Sequence, residues 1–229
     1  MLKSVKWLDT LAFGLALGVI IASAFWVFRS GDLFQGLAQD EKLSWHLIRS
    51  IGLCAYLLLA ISMIWGLFVS TQFVKDWSPG ALSMSLHSAV SWLALILGFL
   101  HALLLMWDKY FSYSLKDILV PFSGPYRPIA VGLGTLACWG MVLVALSFPF
   151  KKRLGHQLWK TIHLLSYLTF GMVTVHALAA GTDSERLGFR ILVGVSVTLV
   201  VLLLGIRLGK DRSTAKPSRK EKVVGHPTR

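Results

Sequence analysis

Four histidines stand inside long apolar stretches: His87 and His101 in one, His163 and His176 in another. Ionisable side chains are costly in such surroundings and rare there, so by default they mark a site. A lone histidine of this kind is often no more than a hydrogen bond between helices. Two on each of two segments, 14 and 13 residues apart, are harder to explain that way. At about 1.5 Å per helical residue the separations are roughly 21 and 20 Å, which puts one histidine near each end of its segment. If both segments run the same way across a membrane, His87 stands level with His163 and His101 with His176. Two facing imidazoles at one level offer two opposed nitrogen ligands. Imidazole suits zinc, copper, iron and nickel, but two nitrogens without thiolate or carboxylate make a poor zinc site, whereas a haem brings four nitrogens of its own. The economical expectation is two b-type haems, one between His87 and His163 and one between His101 and His176.

The neighbouring residues leave alternatives open. Ser91, Ala94 and Gly98 form a small-residue stripe from His87 towards His101, giving room for a flat macrocycle or simply for close helix packing. Thirteen residues turn an ideal helix about 140° out of alignment, so the fifth span needs a bend near Gly171 or an approach from different sides. Phe170 lies between the two levels, as an aromatic between haems or as packing. His156, seven residues before His163, competes for the ligand role but sits among Lys151, Lys152 and Arg153 at the water boundary. His46 and His226 are expected to be solvated. Arg49 could meet the propionates of the outer haem or reach lipid headgroups, and Lys152, Arg153, Trp159 and Lys160 face the same choice at the inner one. Cys54 and Cys138, each alone in an apolar stretch, read as small core residues, with no disulfide framework and no CxxCH for covalent haem.

The elements that must position these residues are membrane helices. Of the 229 residues 55% are hydrophobic and only 15% charged, with a mean hydropathy of +0.66, which excludes a soluble enzyme. Six segments reach the length of a bilayer core: 8–28, 51–70, 82–107, 129–148, 157–179 and 187–208. The predicted fold class is therefore all-α, a six-transmembrane-helix bundle over 1–208 followed by a disordered basic cytoplasmic tail over 209–229. The first segment has signal-peptide features, but its apolar run continues through Phe28 and reads as an uncleaved span. Trp7, Trp26, Trp45, Trp77, Trp107 and Trp159 fall near span ends, where indoles prefer to sit.

The formal charge of +12 is a topology signal. Fifteen Lys and Arg fall on the side of the termini and eight on the other, which puts both termini in the cytoplasm of a bacterial inner (plasma) membrane. The basic residues form no stripe with interleaved aromatics, so nucleic acid is not an expected partner; the lipid bilayer is. The connection 108–128, with Pro121, Gly124, Pro125 and Pro128, lies on the outer side as an ordered lid, a re-entrant loop or a tether.

Six spans with the two histidine pairs resemble the ferric reductase-like transmembrane domain shared by NADPH oxidases, ferric reductases and the haem-binding membrane subunit of the bacterial methionine sulfoxide reductase system. The stretches KKRLGHQLWKTIHLLSYLTFGMVTVHALAAGTD at 151–183 and YRPIAVGLG at 126–134 look most like the bacterial branch. The resemblance implies an inner haem on His87 and His163, an outer haem on His101 and His176, and an arginine near the outer haem at Arg49. Members with flavin and nicotinamide domains carry them after the last span, where about 20 residues follow here and a domain needs roughly 100.

The expected function is thus transmembrane electron transfer, with electrons supplied by a separate flavoprotein or a quinol and passed outward to an extracytoplasmic acceptor. A close alternative is a haem-binding subunit feeding a periplasmic methionine sulfoxide reductase. An alternative of another class is a membrane scaffold or transporter whose histidines bridge helices or relay protons.

Overall fold

The computed structural model describes residues 41–75 and 78–214. The first apolar segment, Trp77, His226 and the tail beyond 214 lie outside the described residues. Among the described residues every regular element is helical, and five helices are long and apolar enough to cross a membrane: Lys42–Ser70, Gly80–Trp107, Pro128–Ser147, His156–Ala180 and Leu187–Lys210. Large apolar side chains remain exposed along them, Ile129, Leu168, Leu187 and Val201 among them, as expected of surfaces made for lipid.

Helix α1 runs over Glu41–Ser70, ten residues ahead of the apolar run that begins at Ile51. The reason is an amphipathic extra stretch: Ser44 and Ile48 are buried one turn apart, and Ile48 packs with Leu104 of the next helix beside Leu105 and Trp107. An apolar run measures the hydrocarbon crossed, not the helix that crosses it. Helix α2 covers Gly80–Leu104 and tightens into a 3-10 turn at Leu105–Trp107.

The connection that follows is ordered and folds back along its neighbour. A short helix α3, Leu115–Leu119, opens with a reciprocal capping box between Ser114 and Asp117, and the Ser114 donors hold the Asp117 carboxyl below its ordinary range. Helix α4, Pro128–Ser147, starts with proline at its first position, where no N–H is needed. Trp139 of α4 donates its indole N–H to the Leu119 carbonyl at 3.0 Å. Since Trp139 lies about 16 Å along the helix from Pro128, the 108–127 segment folds back along α4 rather than hanging free.

A short helix α5, Lys151–Leu154, is set off from α6, His156–Ala180, by Gly155 at φ +79°, a conformation that favours glycine. After a 3-10 turn at Thr182–Glu185 comes α7, Leu187–Thr214, which continues as helix past Leu208 into the expected tail. Two bonds accompany that extension: Arg207 donates to the Tyr167 hydroxyl at 2.9 Å and Lys210 to the Thr71 carbonyl beyond the end of α1 at 3.0 Å.

The helices associate as two hairpins, α1 against α2 and α4 against α6, with α7 packed on α1. The core lies at mid-height among Tyr56, Leu59, Ala60, Met63 and Leu67 of α1, Ala94 of α2, Phe170 of α6, and Val193 and Val200 of α7. By contrast α2 and α6, the two helices that carry the four intramembrane histidines, are not among the closely packed pairs.

Candidate functional site

The histidines meet between α2 and α6. The His87 and His163 rings stand with centroids 6.2 Å apart at an interplanar angle of 73°, and the His101 and His176 rings 6.2 Å apart at 76°. An atom bonded at about 2 Å to a nitrogen of each ring sets the centroids about 6 Å apart. Both pairs have that spacing. Half-buried Gly98, three residues from His101, presents a face where an added Cβ would meet nothing within 4 Å. Among the described residues no group of three His, Cys, Asp or Glu converges, so each pair offers two imidazoles.

Three of the four rings are held by one repeated device. His101 Nδ1 lies 2.8 Å from the Ile48 carbonyl, His176 Nδ1 2.9 Å from the Ala130 carbonyl, and His87 Nδ1 3.2 Å from the Ser62 carbonyl. A carbonyl oxygen only accepts, so each of these Nδ1 atoms carries the proton and Nε2 keeps its lone pair for a metal. Four residues after each carbonyl comes a glycine against which the ring rests. A Cβ added to Gly52 would fall 2.8 Å from His101, one on Gly66 3.0 Å from His87, and one on Gly134 2.8 Å from His176. The sequence reading overlooked these seats, although Gly52 and Gly66 are 14 residues apart, the separation of His87 and His101. The smaller residues of the stripe have their own duties: Ser91 donates to the His87 carbonyl and bonds Ser62, while Ala94 is in the core.

His163 is held differently. Thirteen and fourteen residues past Gly134 stand Ser147 and Phe148 instead of glycine, and Phe148 meets Trp159 edge-on at 6.3 Å. The indole of Trp159 in turn stacks on His163 at 5.3 Å and 21°. Helix α6 is unbroken from His156 to Ala180, so the 13-residue spacing is met by rings leaving the helix on different flanks. His176 leans on α4, and His163 on its own preceding turn.

Arg49 is adjacent to Ile48, at the level of His101 and His176. Its guanidinium pairs through two nitrogens with Asp183, Nε to Oδ2 at 2.8 Å, and lies 3.9 Å over the Trp45 ring. Asp183 also takes Arg186 at 3.1 Å. With about a fifth of each side chain exposed, the fork ties the start of α1 to the turn after α6. Asp183→Ala is expected to cost about 1–3 kcal/mol, lowering the thermal midpoint, because it leaves a largely enclosed guanidinium without its partner. A double-mutant cycle with Arg49→Ala should show strong non-additivity, the pair losing much less than the sum of the two single changes.

The other candidates fall outside the pairs. His156 is exposed and stacks on Trp159 at 5.9 Å, and His46 is exposed beside Trp45. Phe170 is buried against Tyr56, rings 6.0 Å apart, between the two levels. Lys152, Arg153 and Lys160 are exposed at the Lys151 end. Cys54 and Cys138 are free thiols but not the core residues expected from their apolar surroundings: Cys54 is exposed and Cys138 half-buried, since an apolar neighbourhood in a membrane helix can face lipid as well as the core.

No curated protein and no solved structure matches the chain. A family description does match, over residues 43–183, a stretch that begins at the first turn of α1 and ends at the carboxylate paired with Arg49. It therefore takes in all four histidines, the three glycine seats and the connection folded back along α4. The chain belongs to the family described as Domain of unknown function (DUF8596).

Proposed function

We propose that this chain is a haem-carrying electron conduit of the ferric reductase-like kind, moving single electrons across a bacterial inner membrane. The observation that carries the reading is the matched geometry of two imidazole pairs, each at 6.2 Å between two helices that are not among the closely packed pairs. A structural or proton-relaying histidine needs neither equal spacing nor the Nδ1 commitment that leaves Nε2 free at three of the four rings. When bound, two b-type haems would supply one-electron iron chemistry at two depths of the membrane.

The chain's own residues do the rest. His87 and His163 would hold one group and His101 and His176 the other. The carbonyls of Ile48, Ser62 and Ala130 fix ring orientation and raise the basicity of the ligand nitrogen. The apolar walls of the bundle exclude water. In this reading residues 8–28 form the first of six spans and both termini are cytoplasmic, following the Lys and Arg bias. The Arg49 end then faces outward and the Lys151 end inward. Loaded with haem, the inner pair would be the entry point for electrons from a flavoprotein or a quinol and the outer pair the exit to an extracytoplasmic acceptor.

The test is spectroscopic. Purified after expression with ample haem, the chain should show the dithionite-reduced bands of six-coordinate haem b at two per chain. Imidazole planes 73° and 76° apart predict a highly anisotropic low-spin Fe(III) resonance rather than the rhombic signal of parallel planes. A colourless preparation overturns the proposal in favour of structural or proton-relaying histidines.

A further inference from the structure

Among the described residues one buried side-chain polar atom has no hydrogen-bond partner, and it is Trp159 Nε1. A buried indole N–H ordinarily finds an acceptor, so an unmatched one points to an acceptor outside the protein atoms. Its position says what kind. Trp159 lies one helical turn from His163 towards the Lys151 end and stacks on the His163 ring at 5.3 Å. The Lys151 ammonium sits 3.8 Å from the centroid of the same indole ring, bringing a positive charge beside it. A buried N–H donor beside a cation, at the Lys151 end of a ligand pair, suits an anionic oxygen acceptor.

We infer that Trp159 Nε1–H donates to a carboxylate of the group held by His87 and His163, a haem propionate, making Trp159 the positioning residue of that pair. The inference rests on the haem reading above. It also accounts for the asymmetry of the bundle: His163 alone lacks the carbonyl and glycine seat, and the residue that stacks on it is the one with a free donor. The same chemistry could be met by a lipid phosphate, which the experiment separates.

The test uses the full chain in lipid nanodiscs, in zwitterionic and in anionic lipid. Trp159→Phe keeps the stacked ring and removes the N–H. The haem at His87 and His163 should then transfer to apomyoglobin about ten-fold faster, the size of one charge-assisted hydrogen bond, in both lipids. Its propionate bending band in resonance Raman should shift, while the haem at His101 and His176 keeps its occupancy and spectrum, which also reports that the fold is intact. Trp159→Ala, which removes the stack as well, should alter the low-spin resonance of that haem, and Phe should restore it. Unchanged haem transfer and an unmoved propionate band in Trp159→Phe overturn the inference while leaving the haem reading standing. An effect confined to anionic lipid, with the propionate band unmoved, assigns Nε1 to a phosphate and also overturns it. A wild-type chain without porphyrin overturns the underlying reading itself.

Discussion

His101→Ala should leave a chain that binds one haem instead of two, and His176→Ala should give the same result from the opposite helix. Each change removes one of only two nitrogens that face each other at that level. The remaining imidazole cannot compensate, because among the described residues no third metal-ligating side chain gathers there. The other pair lies about 20 Å along the helices, beyond the range over which single substitutions usually couple, so its haem should persist. Pyridine haemochromogen assay per chain, together with loss of one low-spin resonance, reads the outcome directly. His87→Ala and His163→Ala should remove the complementary haem. Retention of two haems per chain in any of the four variants contradicts the ligand assignment.

Gly134→Leu and Gly52→Leu should abolish or severely weaken the same haem without touching a ligand. A Cβ at either position falls 2.8 Å from His176 or His101, closer than real side chains come, and the rest of a leucine would have to occupy the space of the imidazole. Overpacking of this sort costs typically about 1–3 kcal/mol, and here the displaced ring also gives up its carbonyl at Ala130 or Ile48. The expected readout is loss of haem at His101 and His176 with helix content unchanged by circular dichroism. Gly171→Ala is the control, since a Cβ there meets nothing within 4 Å. If the leucine variants bind two haems normally, the glycines are not seats for the ligands.

What the sequence conveyed of this arrangement follows from which interactions leave a mark on residue type. Hydrophobic runs reveal membrane-length helices, and five of the six expected segments correspond to long helices while 8–28 lies outside the described residues. Charged side chains in such runs stand out, so the pairing of His87 with His163 and of His101 with His176 could be reasoned from spacing alone. The acceptors that orient the rings could not, because a backbone carbonyl is present at every residue and Ile48 or Ala130 carries no sign of it. The glycine seats did leave a trace, in the equal separation of Gly52 and Gly66. The partner of Arg49 was hidden for another reason: Asp183 is 134 positions away in the chain and is brought near only by the folding of the hairpins. Likewise the 13-residue spacing on α6 looked like a defect until Trp159 supplied a second way of holding a ring.

Each imidazole pair takes one member from the α1–α2 hairpin and one from the α4–α6 hairpin. Neither half of the polypeptide therefore contains a whole binding place, and whatever bridges the pairs also rivets the halves together. If the pairs hold haem as proposed, binding it is linked to the stability of the joined bundle. Without it the halves would still be joined by the mid-height core and by the Arg49–Asp183 fork, so the empty chain is expected to unfold at a lower temperature than the loaded one rather than to fall open.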